Sequence, residues 1–369
     1  MSRTKKIWIC AALICVVLGA AVSGGTLAAI GFDFSRLNTM KFVTHTYEVE
    51  DPNTHESKNP NATQEPGQAE GPNTYEAEGT FSRIGIDAAE ADIHLVRSDD
   101  GTCRVVCVEG DKITHTVTVE GDTLTIVRHD ERKWYERAGI YWGDMSITVY
   151  LPKDSYTGLE VSTMSGDVII PEEFTFDTVQ VDTMSGDISF TAAANKSLRL
   201  KTLSGDLTVT EMTTEAVTLQ TTSGDMELTG LSAGSMSIST TSGDIELKDV
   251  TATTLSAQGT SGEIESTGVF VTERMELETV SGDVYLTRCV SNGWLGVTTV
   301  SGDVKLSACD CDVVLSILTT SGDITGTLLT PKQFLCSTNG KVSVPFSKPV
   351  NSVFEANSIS GDIRIKIEG

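Results

Sequence analysis

Between residues 159 and 369 apolar and polar residues alternate in short runs, two to a unit of 18–21 residues, and the two runs meet at a Ser-Gly-Asp triplet. Its serine stands at 165, 185, 204, 223, 242, 261, 281, 301, 321 and 360, with Glu263 once replacing the aspartate and Asn339-Gly340-Lys341 filling an eleventh slot. Four residues before the serine come Val161, Val181, Leu200, Leu219, Ile238, Ala257, Leu277, Val297, Ile317, Leu335 and Ala356. Three residues after it come Val168, Ile188, Leu207, Met226, Ile245, Ile264, Val284, Val304, Ile324, Val342 and Ile363. Period-two alternation marks strands with one buried face, so both columns point inward. Inward positions fall at even offsets before the serine and odd offsets after it, which demands a turn or bulge at the triplet.

Strand–turn–strand units at a fixed period stack on one another instead of folding into a globule. The expected fold is all-β: a single-stranded parallel β-helix, or β-solenoid, of about 19–20 residues per coil. It should be right-handed, as parallel crossovers within one sheet are. Two residues before the serine runs a threonine column (Thr163, Thr183, Thr202, Thr221, Thr240, Thr279, Thr299, Thr319), broken by Gly259, whose hydroxyls can bond along the stack. Glycine fills every triplet, as expected where backbones approach too closely for a Cβ. The aspartate column is electrostatically awkward. Neighbours about 4.8 Å apart repel by about 1 kcal/mol in water and about 3–4 kcal/mol at an effective dielectric of 20. Turn hydrogen bonds from backbone N–H and serine hydroxyls to the carboxylate are one compensation. Calcium bridging between coils is the other, with Asp167, Asp187, Asp206, Asp225, Asp244, Asp283, Asp303 and Asp323 as candidate ligands. No other cofactor is expected.

Upstream, Ile84-Gly85-Ile86 and Ala91-Asp92-Ile93-His94-Leu95 repeat the columns, with Glu90-Ala91-Asp92 in the triplet's place, as a degenerate first coil. Alternating runs at 103–108, 115–119, 123–127 and 146–151 predict longer strands that shield the open end of the stack. Residues 79–158 are therefore read as an N-terminal β cap with the degenerate coil, and 159–369 as the regular solenoid. Trp134, Tyr135, Tyr141 and Trp142 cluster in one cap segment, either as cap packing or as an aromatic platform for glycan or a membrane surface. Just before the serines, Met164, Met184, Leu203, Val280, Val300 and Ile359 make an outward apolar column, a partner stripe unless a rotated corner buries it.

At the other end, Arg3, Lys5 and Lys6 precede a stretch from 7 to 32 without a charged residue, long enough to span a bilayer as a helix. Positive charge on the short side keeps that side inside. The expectation is a single-pass cell-membrane protein: 1–6 cytoplasmic, 7–32 an uncleaved anchor, 33–50 juxtamembrane, 51–78 a flexible, acidic, Pro-rich linker, and the C-terminal domain extracellular.

Charge narrows the partners. With 27 Lys+Arg against 51 Asp+Glu the net charge is −24, which argues against nucleic acid. All five histidines (His45, His55, His94, His115, His129) precede the repeats, so the solenoid itself offers no Ser-His or Cys-His pair. A β-helix enzyme acting on polysaccharide would have only Lys248, Arg274, Arg288 and Lys305 as scattered bases. No catalytic residues are assigned. Cys289 and Cys309 follow their coils' aspartates by six residues and should stack in a core column with Met212, Leu231, Val250, Val269 and Leu329, as buried thiols close enough for a disulfide.

The anchor, the phrase TYEVE before an acidic spacer, RKWYERAGIYWG, ITVYLPKD and the repeated L-x-V-x-T-x-SGD-V-x-L units together resemble a bacterial family of membrane-anchored β-strand-repeat proteins of unknown function, called putative adhesins. The resemblance covers nearly everything from about residue 80 onward. It implies a non-catalytic, membrane-anchored extracellular β-solenoid for adhesion or envelope interaction, with a glycan, an envelope polymer or a membrane protein as partner. An accessory sensor or regulator of envelope stress is the alternative, and a polysaccharide-active enzyme a more distant one. The family offers no functional residues to carry across.

Overall fold

The computed structural model describes residues 72–110, 112–132, 145–346 and 349–368. The predicted anchor at 7–32, the aromatic segment holding Trp134, Tyr135, Tyr141 and Trp142, and most of the spacer lie outside these residues. Among the described residues every regular element is a strand, and no helix is long and apolar enough to cross a membrane.

Each coil gives one long and one short strand to two parallel faces. On the long face Ser155–Ser162, Thr175–Asp182, Ala193–Lys201, Thr213–Gln220, Ser232–Ser239 and Thr251–Gln258 pair in sequence order. On the short face Val168–Ile170, Ile188–Phe190, Leu207–Thr210, Met226–Thr229 and Ile245–Lys248 do the same. The triplet is the corner between the faces, where successive serines form single parallel bridges. That corner supplies the one-residue slip, and the two predicted columns meet in a continuous core: Val181, Leu200, Leu219, Val168, Ile188 and Leu207 are all buried. The opposite corner, seven residues after the serine, is left-handed. Gly230 and Gly268 have φ of +71° and +68°, while Glu211, Asp249, Arg288 and Ala308 hold φ of 47–54° in the same slot, a conformation that non-glycine residues adopt only at a cost.

The ends depart from sequential stacking. Near the C-terminus Val353–Ser358 inserts between Val314–Thr319 and Gln333–Ser337, and Ile363–Ile367 between Ile324–Leu328 and Val342–Ser343. The last coil in sequence is thus the penultimate coil in space, and the Asn339-Gly340-Lys341 coil is outermost. The outer place suits it: Pro331 and Pro345 flank its strands, and proline is tolerated only at a sheet edge. Buried Lys332 pins the chain as it crosses over, donating to the Cys311 carbonyl at 2.7 Å and the Thr330 hydroxyl at 2.8 Å and pairing with Asp310.

This coil also corrects the predicted register. Gln333 pairs with Val353 and Leu335 with Glu355, so Phe334 and Cys336 turn inward and Leu335 is half exposed. The corner Thr338-Asn339-Gly340 is one residue shorter than Ser358-Ile359-Ser360-Gly361, so the strand before it arrives with opposite parity. Val342, on the outermost rung, is likewise exposed. A second slip affects the cysteine column. The register shifts between Leu306 and Cys309, so Cys309 pairs with Leu328, and Leu329 points outward.

The N-terminal end is interleaved in the same way. Arg83–Asp87 lies between Thr123–Asp130 and Ser155–Ser162. Asp92–Arg97 lies between Ser146–Leu151 and Val168–Ile170. Antiparallel strands then close this end: Ile113–Glu120 on Thr123–Asp130, Cys103–Cys107 on Ser146–Leu151, and Asn73–Ala77 on Cys103–Cys107. Asn73–Ala77 falls in the stretch read as flexible spacer; its Tyr75 and Ala77 pack against the core, which its polar composition hides.

Candidate functional site

All eight candidate calcium ligands stand in one column, and the column is a hydrogen-bonded ladder. The Asp167 carboxylate accepts the Asp187 N–H at 2.9 Å, Asp187 that of Asp206 at 2.8 Å, Asp206 that of Asp225 at 2.8 Å, and Asp225 that of Asp244 at 2.8 Å. Asp244 accepts the Glu263 amide at 2.7 Å, and beyond Glu263 the series resumes with Asp283 to Asp303, Asp303 to Asp323 and Asp323 to Asp362. The bond is not repeated between Glu263, one methylene longer, and Asp283. Asp92 accepts the Asp167 amide at 2.9 Å, and Lys341, on the outermost rung with no amide beyond it to receive, closes the series on Asp362 at 2.8 Å. The bonds therefore run between coils, unlike the expected bonds within each turn. A hydrogen bond to a charged group contributes about 1.5–3 kcal/mol, the same order as the about 1–4 kcal/mol of repulsion between neighbouring carboxylates. These are exposed at Asp167, Asp187, Asp206, Asp225 and Asp244 and half-buried at Asp283, Asp303 and Asp323. Hydrogen bonding between coils therefore offsets much of the like-charge repulsion.

Beside this ladder five of the column's threonine hydroxyls donate to the glycine carbonyls of the preceding coil: Thr202 to Gly186, Thr221 to Gly205 and Thr279 to Gly262 at 3.4 Å, Thr299 to Gly282 at 3.2 Å and Thr319 to Gly302 at 3.3 Å. Thr163 donates to the Ser165 carbonyl of its own coil, and the buried hydroxyls of Thr183 and Thr240 have no partner among the described residues. Cys289 and Cys309 are buried free thiols, as expected. Their Sγ atoms donate to the carbonyls of Ser266 at 3.2 Å and Leu286 at 3.3 Å. The hydrogen bond to Cys309, then burial, push the Cys289 thiol up, so it stays protonated.

The cap holds a cluster that sequence reading missed. Glu109 Oε1 accepts from the His115 amide at 2.6 Å and from the Tyr75 hydroxyl at 2.9 Å, and lies 2.8 Å from His115 Nδ1; Oε2 accepts from Asn73 Nδ2 at 2.5 Å. Cys107, Glu109 and His115 offer metal-ligating atoms within 4.8 Å of one another. The carboxylate is committed to four donors, however, and burial, then Glu109, push the Cys107 thiol up to about 12. A protonated thiol is a poor nucleophile and a poor ligand. The cluster clamps Asn73–Ala77 to Ile113–Glu120, and its signal was only a histidine on the apolar side of an alternating run.

The scattered bases stay apart. Arg274 stacks on Trp294 at 3.7 Å and pairs with Glu276 at 2.8 Å, while Lys305 lies 4.8 Å from the Tyr285 ring and 3.8 Å from Asp283. His129 Nε2 meets the Thr116 hydroxyl at 2.8 Å. Met164, Val280, Val300 and Ile359 of the apolar column are exposed, so no rotated corner buries them.

The outward face of the long strands carries a groove of about 590 Å³. Strand register fixes its floor rung by rung: Arg83 beside Gly158 and Gly85 beside Glu160, then Thr178 and Gln180, then Ser197 and Arg199, then Ala216 and Thr218. Glycine, serine and alanine keep the floor low. Arg83 and Arg199 are exposed, and among the described residues neither guanidinium has a carboxylate partner. The signal for this groove was in the outward positions of the alternating runs, which differ from coil to coil where the inward ones repeat.

The Toastrack DUF4097 family profile matches residues 81–249 and 233–369. No curated protein matches the chain. Among solved structures the chain is similar to a putative adhesin from Bacteroides fragilis, at 16% identity and TM-score 0.32, covering 80% of this chain and 96% of that one. A putative lipid binding protein from Parabacteroides distasonis is similar at 17% identity and TM-score 0.32, covering 80% and 97%. A putative adhesin from Parabacteroides merdae is similar at 12% identity and TM-score 0.37, covering 80% and 96%.

Proposed function

Because the chain belongs to the Toastrack DUF4097 family, whose matched segments together run from residue 81 to residue 369, we propose that it is a non-catalytic binding solenoid, anchored in the cell membrane by residues 7–32 and displayed outside for adhesion or envelope interaction. The observation that carries the reading is the long face: a continuous, solvent-facing sheet, with its side chains held in register by the stack and a groove open along it. Parallel rungs about 4.8 Å apart present an extended ligand with donors and acceptors at a regular spacing, their identity changing from coil to coil. Mild external protease on intact cells should release the solenoid, detected with an antibody to it; full protection would overturn the display outside. The exposed column of Met164, Val280, Val300 and Ile359 favours a second reading, in which the solenoid docks on a membrane protein and reports envelope state. Co-purification that fails when Val280 and Val300 become serine would support it.

A further inference from the structure

We infer that the groove on the long face binds an extended polysaccharide whose acidic sugars are separated by neutral ones, with its carboxylates on Arg83 and Arg199. This rests on the reading of the long face as a binding surface and names its ligand class.

The two arginines stand three rungs apart, Arg83 beside Gly158, then Thr178, then Ser197 with Arg199, which is about 14 Å along the stack. Unpartnered guanidinium groups are unexpected in a chain of net charge −24, where carboxylates outnumber them. Here two share one groove. A guanidinium presents a planar fork of N–H donors that matches a carboxylate. Between them the floor offers the Glu160 carboxylate, the Thr178 hydroxyl oxygen, whose proton goes to the Thr157 carbonyl at 3.3 Å, and the Gln180 amide oxygen and second N–H, its Nε2 also donating to Asp182 at 2.6 Å. A sugar hydroxyl can donate to or accept from these. The floor can be approached closely because Gly158 leaves it low: a Cβ there would meet the Thr178 hydroxyl at 3.4 Å and Arg83 Nε at 3.7 Å.

Glu160 sets the charge pattern. It projects between the two arginines, one rung from Gly85 and one from Gln180. A ligand charged on every sugar would set a carboxylate against it. A neutral sugar at that point instead donates its hydroxyls to Glu160 and leaves the charges to the ends. Rigid stacking keeps the arginine spacing fixed, so selectivity is for charge spacing and not merely for charge.

The test uses the purified chain and four polymers: hyaluronan, in which glucuronate alternates with a neutral sugar; polygalacturonate, charged on every sugar; neutral dextran; and a glycerol phosphate polymer, whose charges are phosphates. Hyaluronan should bind, more weakly as salt rises. Arg83→Ala and Arg199→Ala should each weaken it at least about fivefold. Glu160→Gln should admit polygalacturonate. Lys248→Ala, an exposed cation on the short face, should change nothing. Each variant's melting curve shows that it is folded. Equal binding of dextran, no binding of hyaluronan, or folded arginine variants that bind it undiminished would overturn the assignment; tighter binding of a glycerol phosphate polymer would overturn its carboxylate class. Protease release from cells with no hyaluronan binding would sink the groove's assignment and leave the surface display standing.

Discussion

Three residues of each coil act together at the corner, and each substitution has its own expected outcome. A methyl group added at Gly224 would fall far inside contact distance of the Gly205 carbonyl, backbone that cannot swing aside. Gly224→Ala should therefore cost about 3 kcal/mol, read as a lowered melting temperature. At Gly259 the same methyl meets only the Thr279 side chain, at 3.5 Å. Gly259→Thr should raise stability by about 1 kcal/mol, since it restores the threonine column and reduces the freedom of the unfolded chain. Asp225→Ala should cost about 1 kcal/mol by removing the acceptor for the Asp244 amide, while Asp225→Asn, which keeps an acceptor oxygen, should be close to neutral in the same melt. The columns were legible in sequence because the same environment recurs at every rung. The direction of the aspartate bonds was not, because an offset of one coil and a bond within one turn leave the same sequence pattern.

At the scale of strands, the cap clamp carries a pH dependence. Burial holds the His115 imidazole neutral, its pKa lowered from the ordinary value despite the Glu109 contact, which raises it. The unfolded chain takes up that proton near pH 6.5 and the folded chain only at lower pH. Clamp stability is thus fully present above about pH 6.5 and is lost as pH falls below it. Glu109, which burial would raise, is held below its usual range by bonds from Asn73, His115 and Tyr75, and adds a further loss in stronger acid. The protection factors of the Asn73–Ala77 amides, measured by hydrogen exchange with the intrinsic pH dependence divided out, should fall between about pH 7 and 5, and His115→Gln should flatten that change. Strand positions were readable from alternation except at polar Asn73–Ala77, and their facing failed where a corner changed length. Thr338-Asn339-Gly340 omits one residue, and every side chain of Gln333–Ser337 changes face as a result.

For the molecule as a stack, sequence order and spatial order differ at both ends. Repeats report which residues are equivalent and say nothing of which coil lies next to which, so the interleaving was invisible. It is directly testable. Removing residues 351–369 should leave Gln333–Ser337 without the neighbour it pairs with, so the 330–346 segment should become protease-sensitive while Val304–Cys311 stays protected. A stack in sequence order would keep 330–346 folded. The insertion also governs how the molecule comes apart. In a simple pile of coils the chain terminus is the loose end, and a protease or a pulling force can peel one layer at a time. Here the strands Val353–Ser358 and Ile363–Ile367 are held between two layers, like a page bound inside the cover. To free them, both neighbouring ladders must open together, and the layer holding Gln333–Ser337 has nothing to rest on until those strands are in place. They are therefore a latch that closes late and resists unravelling from this end of the stack.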